Sequence, residues 1–336
     1  MTFAAAQFLT PEELAEIRKR SDLRGLWCVA HAWGVVVAAW ALFIWWPNPL
    51  TLAIGIVVVG ARQLGLAILM HDAAHGVLTN NKALNEALGQ WFLAWPVISD
   101  LYNYRTYHLK HHRYTQQAND PDLVLSAPFP ITRESFRRKV IRDLSGQTVF
   151  KHRTAQVRNA FTVKGGTFFD GVKKGLNRLG GPIAMNLALL VALTAAGYWY
   201  VFFLLWVLPF FLWFPLITRV RNIAEHAVVP DNDDPFRNAR TTKANLAWRA
   251  LVAPYWVNYH VEHHLLMWVP CYNLPRFHRL LLQKGFGPKM ELQPDYLTVL
   301  RLATSKRVDG AHSGGDGADP GDGDAFNITP RAGARK

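Results

Sequence analysis

The sequence predicts an all-α integral membrane protein with four transmembrane helices and a cytoplasmic helical cap. Half of the 336 residues are apolar, and they gather in a few long runs with the charged residues between them. This arrangement is typical of membrane-spanning chains and not of a soluble core. Nine of the 13 histidines fall in four tight groups that lie between or beside these runs. The cap is therefore the part of the chain in which we expect the chemistry.

The N-terminal segment, residues 1–25, does not read as a secretory signal, because it holds several acids and a basic group before the first apolar run. Residues 10–25 predict an amphipathic helix that lies along the membrane surface. Thr10 is the expected N-cap, with Pro11 in the first turn and Glu13 at the position that completes a capping box.

The four predicted spans follow the long apolar runs, since a helix needs about 20 apolar residues to cross a bilayer. The last run has no charge and is too long for one helix, so it predicts two spans with a break near Gly197. Pro209 and Pro215 are expected to kink the second of these. The predicted spans are residues 26–46, 50–70, 182–197 and 200–218.

These spans belong to a membrane domain predicted over residues 26–304. Within it, the apolar stretch 87–98 is too short to span and predicts a re-entrant or interfacial helix. Arg62, inside the second span, is expected to snorkel to the interface or to pack against neighbouring groups. Residues 305–336 are rich in Gly, Asp, Pro and Ala and predict a disordered tail.

The distribution of Lys and Arg predicts the orientation. Both residues are frequent in the N-terminal flank and in segments 71–180 and 219–308, but the turns 47–49 and 197–200 have none. Positively charged loops stay in the cytoplasm, so both termini and both polar segments should face it. This placement also accounts for the net charge of +13. We therefore expect no nucleic-acid partner, since no nucleic-acid motif accompanies the charge.

The four histidine groups have spacings that converge on a helix face. Residues three and four apart share one face of a helix, so each HxxHH or HxxxH motif directs its imidazoles to one point. A random chain of this composition would contain one HxxHH about 0.02 times, and this chain has two. The groups are HDAAH with His71 and His75, HLKHH with His108, His111 and His112, His226 in RNIAEH, and HVEHH with His260, His263 and His264.

Nine imidazoles exceed what a single metal ion accepts, which is about six ligands, so the pattern predicts two metal ions. Imidazole suits iron, zinc, copper and nickel, and the spacing does not choose between them. Acids near the motifs are expected to orient the imidazole N–H groups: Asp72, Glu225 and Glu262, and with them Asp120 and Asp122, for which loop capping is an equal alternative.

The remaining histidines are expected to have no part in the metal site. His31 lies inside the first span and should pack or form a hydrogen bond there. His152, His278 and His312 are expected to be solvated. The chain has only two cysteines, Cys28 and Cys271, so we expect no disulfide framework and a reducing compartment.

With HDAAH, HLKHH and HVEHH in this order between the predicted spans, the sequence resembles the membrane fatty-acid desaturase family over about residues 25–295. Its members hold two irons with histidines, activate dioxygen and remove hydrogen from unactivated C–H bonds. The resemblance implies that all nine grouped histidines are iron ligands, and that Asn222 approaches one iron through water. The NDPD and RNIAEH segments resemble a bacterial subgroup of acyl-lipid desaturases and relatives of a dihydrorhizobitoxine desaturase, which implies a bacterial inner membrane.

The function implied by this resemblance is that of a desaturase that introduces a C=C bond into a fatty-acyl or lipid-like chain. Its cofactors would be two Fe ions, Fe²⁺ in the resting reduced state, with dioxygen as co-substrate. The sequence carries no haem, flavin or iron–sulfur motif. A separate electron donor is therefore expected, either a ferredoxin, a small haem cytochrome or a reductase, and the basic cytoplasmic surface would suit an acidic one.

Several alternatives stay open at the level of sequence. A hydroxylase or ketolase of the same superfamily would use the same irons, and a desaturase could act on a small amino-acid-like amphiphile. A membrane metal-binding or transport protein would place ionisable residues inside the spans, which here hold few. A zinc hydrolase needs only a single open zinc site. No sequence motif indicates the chain length of the substrate, its head group or the position of the double bond.

Overall fold

A computed structural model describes residues 8–307 of the chain. The described part is mostly helical, with one short parallel pair of strands, β1 (Thr241–Thr242) and β2 (Leu292–Gln293). Four apolar helical segments are long enough to cross a membrane: Pro11–Trp45, Pro49–Ala74, Phe168–Ala195 and Trp199–His226. The predicted fold class, an all-α protein with four candidate membrane-spanning helices, is confirmed.

The α-helices are numbered in chain order. They are α1 (Pro11–Ile17), α2 (Asp22–Trp45), α3 (Pro49–Ala74), α4 (Lys82–Ala87), α5 (Leu101–Tyr114), α6 (Leu123–Ser126), α7 (Arg133–Leu144), α8 (Gln147–Phe161), α9 (Phe168–Ala195), α10 (Trp199–Phe202), α11 (Leu208–His226), α12 (Leu246–Leu251), α13 (His260–Leu265), α14 (Leu274–Gln283) and α15 (Tyr296–Ala303). A π-helical segment, Phe203–Val207, joins α10 to α11.

Two of the long helices reach beyond the membrane and carry histidines at their ends. Helix α3 has 26 residues, which at 1.5 Å per residue gives about 39 Å, whereas the hydrocarbon core is about 30 Å thick. Its last turn, which begins near His71, therefore projects past the apolar region. The α10–α11 segment ends in the same way at His226.

The end of α3 is fixed by a glycine. Gly76 has a φ of +69°, a left-handed conformation that glycine adopts without a steric penalty. The backbone N–H of Val77 donates to the Asp72 carbonyl at 3.1 Å, and that of Gly76 donates to the Ala73 carbonyl at 3.0 Å. This C-terminal cap stops the helix immediately after His75 and turns the chain away from the histidine cluster.

The membrane helices pack around an irregular segment of the α10–α11 span. Pro209 has no N–H, so the Leu205 carbonyl one turn earlier has no i+4 helical donor. The indole of Trp40 in α2 donates to that carbonyl at 3.1 Å. Gln63 of α3 donates to the neighbouring Trp206 carbonyl at 2.8 Å. Side chains of two other helices thus satisfy the backbone groups that the irregularity frees, as an apolar environment requires.

The third span differs from the prediction at its start. Helix α9 begins at Phe168, well before residue 182, and Pro182 lies inside it. A capping box made by Thr167 and Asp170 begins the helix, and this signal in the sequence was missed. The helix ends at Ala195, before Gly197 with a φ of +85°, so the break near Gly197 lies where the sequence indicated.

The N-terminal helix is shorter than predicted. The Thr10 capping box and Pro11 are present as expected, but α1 ends at Ile17, and a new N-cap at Ser21 begins α2. Glu13 pairs with Lys284 at 2.8 Å, and a second ion pair joins α1 to α14. The segment is therefore docked on the protein through ion pairs. Its placement at a membrane interface stays a prediction.

Other predicted features have mixed outcomes. Arg62 is buried, donates to the Ala250 carbonyl and lies over the Tyr255 ring, so it packs inside the protein and does not snorkel. The short apolar stretch forms a π-helical segment, Leu88–Ala94, followed by a 3-10 turn that ends at Val97. The predicted disordered tail lies outside the described residues from 308 onward.

Candidate metal centre

All nine grouped histidines meet at one end of the long helices. The ends of α3 and α11 supply His71, His75 and His226, helix α5 supplies His108, His111 and His112, and helix α13 supplies His260, His263 and His264. Helix α5 begins at an Asp100 N-cap. Three of the six residues of the short helix α13 are histidines of the cluster. Neighbouring elements must therefore hold this helix in position.

The first group of histidines could hold one metal ion. The ligand atoms of His71, His75, His108, His112 and His263 all lie within 4.8 Å of one another. The Nε2 atom of His263 lies 2.9 Å from that of His71 and 2.9 Å from that of His112. The His112 Nε2 atom also lies 2.9 Å from the His108 Nε2 atom.

The second group could hold another ion beside the first. It contains His111, His226 and His264, whose ligand atoms also lie within 4.8 Å of one another. The Nε2 atom of His260 lies 2.8 Å from that of His226 and 3.1 Å from that of His264, so His260 joins this group. The two groups adjoin, because the rings of His112 and His264 lie 4.4 Å apart.

These nitrogen distances fit cations better than they fit hydrogen bonds. Each neutral imidazole nitrogen either donates one proton or accepts one, yet the Nε2 atoms of His112 and His263 each make two contacts of 2.9 Å. A metal bound at about 2.1 Å holds two nitrogens at right angles about 3.0 Å apart. Both nitrogens of buried His75, and Nδ1 of His71, have no hydrogen-bond partner within residues 8–307.

The charge states of the histidines favour the same interpretation. Burial, together with the charges of Arg105 and His111, lowers the pKa of His75 to about 3. Burial and neighbouring histidines hold the pKa of His112, His263 and His264 well below 6.5. A metal binds neutral imidazole, so the cluster presents ligands in the required form at neutral pH.

His111 differs from its neighbours because it has an acidic partner. Burial alone would lower the pKa of His111, but its hydrogen bond to Asp120 and the charges of Asp122 and Asp120 outweigh burial and raise that pKa. The Nδ1–H of His111 donates to Asp120 at 2.8 Å. Asp120 therefore orients His111. It also caps the loop, because it accepts from the Gln116 N–H. Both of the roles that the sequence allowed for Asp120 are present.

The other acids near the motifs do not orient grouped histidines. Asp72 lies 3.6 Å from Nδ1 of His71 and accepts a hydrogen bond from the Cys271 N–H at 2.7 Å. Glu225 pairs with Arg221 and lies 3.5 Å from Nε2 of His260. Neither distance to histidine is a hydrogen bond, so the orienting role expected of these two acids is not observed. Asp122 accepts from the Tyr107 hydroxyl and lies 3.6 Å from Nδ1 of His111.

The expected role of Glu262 was wrong for a reason of helix geometry. Glu262 is two positions from His260, so it points to the opposite face of α13. It accepts hydrogen bonds from the Thr241 hydroxyl and from Nδ1 of His278. Thr241 also accepts from the Val261 N–H at 3.1 Å. Glu262 therefore fixes α13 to β1 and α14, and it positions the motif as a unit.

A family model described as fatty acid desaturase matches residues 47–291. The chain belongs to the fatty acid desaturase family. It is 24% identical over 284 residues to the dihydrorhizobitoxine desaturase of Bradyrhizobium elkanii, which covers 81% of this chain and 79% of that protein. It is 26% identical over 258 residues to the sn-1 oleoyl-lipid 12-desaturase of Picosynechococcus sp., which covers 67% of each chain.

The family and the structure together establish several points. The resemblance carried by the three histidine boxes is confirmed, and the chain is an oxidoreductase of the desaturase type. Four apolar helices in a member of this family make it an integral membrane protein. The histidine cluster is compatible with the metal site that such chemistry needs.

The desaturase orients its second histidine group through partners that the sequence did not reveal. The Nδ1–H of His226 donates to the Asn238 carbonyl at 3.1 Å, and Nδ1 of His264 lies 3.3 Å from the Thr115 hydroxyl. With Nδ1 occupied, Nε2 is left for a metal. A backbone carbonyl in a loop leaves no sequence signal.

Two other histidines are less exposed than expected in this desaturase. His278 is largely buried against Glu262, and His152 is buried in α8, so the prediction that both are solvated was wrong. The predicted hydrogen bond of His31 is present, since its Nδ1 lies 3.1 Å from the Tyr255 hydroxyl. His312 lies outside the described residues.

Two cavities of the desaturase lead to the second histidine group. The inner one lies against His108, His111, His226 and His260, with Tyr104 and Glu225 beside them. The outer one lies between α8 and α11, beside Leu125 and Phe129. Both cavities have Leu125 and Asn222 in their walls, so they adjoin at these two residues. Lining the outer cavity are Leu125, Phe129, Thr148, Val149, His152, Arg153, Phe214, Pro215, Thr218, Arg219, Asn222 and Ile223.

Proposed function

We propose that this chain is a dioxygen-dependent di-iron desaturase that introduces a C=C bond into a fatty-acyl or lipid-like chain. The observation that carries the proposal is the pair of adjoining, mostly buried histidine groups in a member of the fatty acid desaturase family. In the net reaction, one –CH₂–CH₂– unit, one O₂, two electrons and two protons give one –CH=CH– unit and two waters.

The proposed ligands are the nine grouped histidines, with His71, His75, His108, His112 and His263 around one iron and His111, His226, His260 and His264 around the other. When bound, the irons would supply the oxidising power that an unactivated C–H bond requires. Asn222, four residues before His226, lines both cavities, and its approach to an iron through water stays part of the proposal.

The protein's own contribution is orientation and exclusion of water. Asp120, Thr115 and the Asn238 carbonyl each engage the Nδ1 atom of one histidine, which directs Nε2 towards the metal. Seven of these histidines are buried, and His112 and His264 are partly buried. A dry site limits side reactions of the oxidised centre. A substrate chain would enter through the outer cavity and pass Leu125 and Asn222 to reach the irons.

The proposed setting is a bacterial inner membrane with the metal centre and both termini on the cytoplasmic side. The charge asymmetry between the polar segments and the short turns supports this orientation. The electrons would come from an external donor, either a ferredoxin, a small haem cytochrome or a reductase. The two cysteines are too few for an iron–sulfur cluster within the chain.

A second candidate substrate is a small amphiphile with a polar, amino-acid-like head. The relative that covers 81% of this chain is by name a dihydrorhizobitoxine desaturase. Polar groups also face the outer cavity: the Thr218 hydroxyl is buried without a hydrogen-bond partner within residues 8–307. A buried polar group of this kind is costly unless a ligand or water satisfies it.

The test is a mass-spectrometric comparison of acyl chains from an aerobic host with and without the gene. We expect an acyl species that has lost two hydrogens, absent with His263→Ala and present with His31→Ala, whose histidine lies outside both metal groups. A species that instead gains one oxygen would identify a hydroxylase or ketolase. An unchanged acyl profile with a supplied electron donor would exclude lipid chains and favour the small amphiphile.

A further inference from the structure

We infer that the desaturase receives its electrons at a basic surface depression lined by Trp268, from a small soluble one-electron carrier protein with an acidic face. This inference rests on the proposed function, because it assumes a redox-active metal at the first histidine group. The proposed chemistry requires an electron donor. The depression would be its docking surface and the point at which its electrons enter.

The depression is an open cavity that shares no wall residue with the two cavities proposed as the substrate route. Of the nine grouped histidines, only His75 lines it, whereas the substrate route reaches His108, His111, His226 and His260. Its walls consist of Arg20, Ala74, His75, Gly76, Asn80, Lys82, Asn85, Glu86, Arg105, Leu109 and Trp268. The two sides of the metal centre are therefore open to different kinds of molecule.

The charges of this surface select the partner. Arg20, Lys82 and Arg105 line it, against the single carboxylate of Glu86. Glu86 is neutralised by Arg105 at 2.7 Å, which leaves Arg20 and Lys82 without a carboxylate partner within residues 8–307. Such a surface attracts an acidic protein at long range and raises its association rate. An alkyl chain would gain nothing from these charges.

Trp268 connects the surface to the metal ligands. Its side chain is 40% exposed, although a large aromatic residue is usually well buried. Its ring lies 6.2 Å from the His75 ring, measured between centroids, in an edge-to-face arrangement at 88°. His75 in turn packs against His71, His108, His112 and His263 at 4.9 Å. A donor seated on Trp268 is thus separated from the first metal by two aromatic rings in contact.

The electron balance is simple. In each encounter the reduced carrier would give one electron to a bound iron, and two encounters would supply the two electrons for each double bond. The electrons enter at the first histidine group, so the carrier and the substrate do not compete for space. Both can bind at the same time.

The experiment measures the rate at which a reduced acidic [2Fe–2S] ferredoxin reduces the oxidised, iron-loaded desaturase in a stopped-flow instrument. The double variant Arg20→Glu with Lys82→Glu should lower the second-order rate about tenfold at low salt, and high salt should remove most of the difference. Arg133→Glu is the matched control. Arg133 lies at the start of α7 and lines another groove, with Phe136 and Leu300.

Trp268→Leu separates electron transfer from docking. This variant should bind a redox-inert, gallium-substituted ferredoxin as tightly as the parent but be reduced more slowly, and Trp268→Phe should restore much of the rate. Iron content and reduction by dithionite should be unchanged in all variants. A ferredoxin rate that charge reversal at Arg20 and Lys82 leaves unaltered would overturn the docking surface.

If Trp268 were instead only a membrane anchor, Trp268→Leu would leave the ferredoxin reduction rate intact, and that result would overturn its role in electron transfer. Failure of the proposed function has a different signature, since a parent protein that holds no iron would leave nothing for dithionite to reduce.

Discussion

Single hydrogen bonds to imidazole Nδ1 atoms decide how the second histidine group can bind a metal. His111, His226 and His264 each have a partner for Nδ1, but the partners differ in kind: a carboxylate, a backbone carbonyl and a hydroxyl. The carboxylate of Asp120 is the strongest of the three, because it is ionised and accepts a short bond in a buried site. Loss of this bond should change metal binding, and protonation of the other imidazoles should change stability.

We expect Asp120→Asn to reduce iron affinity. Loss of a carboxylate that orients a ligating histidine typically costs about 10-fold to 100-fold in metal affinity or activity. The measurement is iron per protein after dialysis against a graded chelator series, with turnover recorded on the same samples. Glu134→Gln is the control, because Glu134 is an exposed acid that pairs only with Arg138 among its described neighbours. Unchanged iron retention in Asp120→Asn would contradict the orienting role.

We expect the desaturase to lose stability as the pH falls below about 6.5. Burial holds the pKa of His75 near 3 and those of His112, His263 and His264 well below 6.5. The unfolded chain therefore binds more protons in this window, and each such group removes up to about 1.4 kcal/mol of stability per pH unit. The thermal unfolding midpoint in detergent, measured from about pH 8 downward, should fall accordingly.

His111 acts in the opposite sense. Its pKa is raised, so the stability that it contributes is complete at low pH and is lost as the pH rises through its folded pKa. The histidines with lowered pKa outnumber His111. The free energy of unfolding should therefore rise with pH between the acid range and neutral pH. A flat profile between pH 6.5 and the acid limit would mean that the imidazoles are not held neutral by burial.

At the scale of secondary structure, the irregular segment Phe203–Val207 joins the membrane helices to one another. In a regular α-helix each carbonyl accepts from the N–H four residues later. Pro209 removes that donor from the Leu205 carbonyl, and the Trp206 carbonyl lies in the π-helical turn, where it accepts from Gln63. The donors come from α2 and α3. The defect therefore fixes the relative positions of three helices, two of which end at histidines that we propose as ligands.

We expect Trp40→Phe to lower stability. The substitution removes the indole hydrogen bond to the buried Leu205 carbonyl, which costs about 1–3 kcal/mol, while the aromatic packing is largely kept. The measurement is the thermal unfolding midpoint in detergent, with Trp45→Phe as the control. Trp45 is 74% exposed, so that its replacement should have little effect. Equal midpoints for the two variants would show that the bond to Leu205 does not matter.

At the scale of the whole molecule, the chain has an apolar exterior and a polar, ligand-bearing end. Helix α9 shows this most clearly: Ile183, Leu187 and Val191 lie on one face, four residues apart, and are 58%, 56% and 58% exposed. A contiguous stripe of this kind is unfavourable in water and favourable in lipid. Helix α9 therefore faces the bilayer, and the cap at the ends of α3 and α11 faces away from it.

We expect the double variant Ile183→Lys with Leu187→Lys to impair membrane insertion. Each lysine near the centre of a spanning helix costs about 2.5–3.5 kcal/mol on an insertion scale. The measurement is the amount of protein that stays in the membrane fraction after alkaline extraction. Leu297→Lys is the control, because Leu297 is 52% exposed on α15, outside the candidate spans. Full retention of the double variant would contradict the lipid-facing position of α9.

The sequence by itself determined the features that are local along the chain. The length of the apolar runs predicted the four candidate spans, and the i, i+3 and i+4 spacing of eight histidines predicted that each motif directs its imidazoles to one point. The Thr10 capping box and the break at Gly197 are local in the same way.

Only the tertiary structure decided which histidines share a metal and what holds each of them. The first group joins α3, α5 and α13, which are far apart along the chain, and its division from the second group separates His111 from its neighbour His112. The carbonyl of Asn238 and the hydroxyl of Thr115 became partners through the packing of loops. Long-range contacts of this kind depend on how whole elements pack, and no local pattern of residues records them.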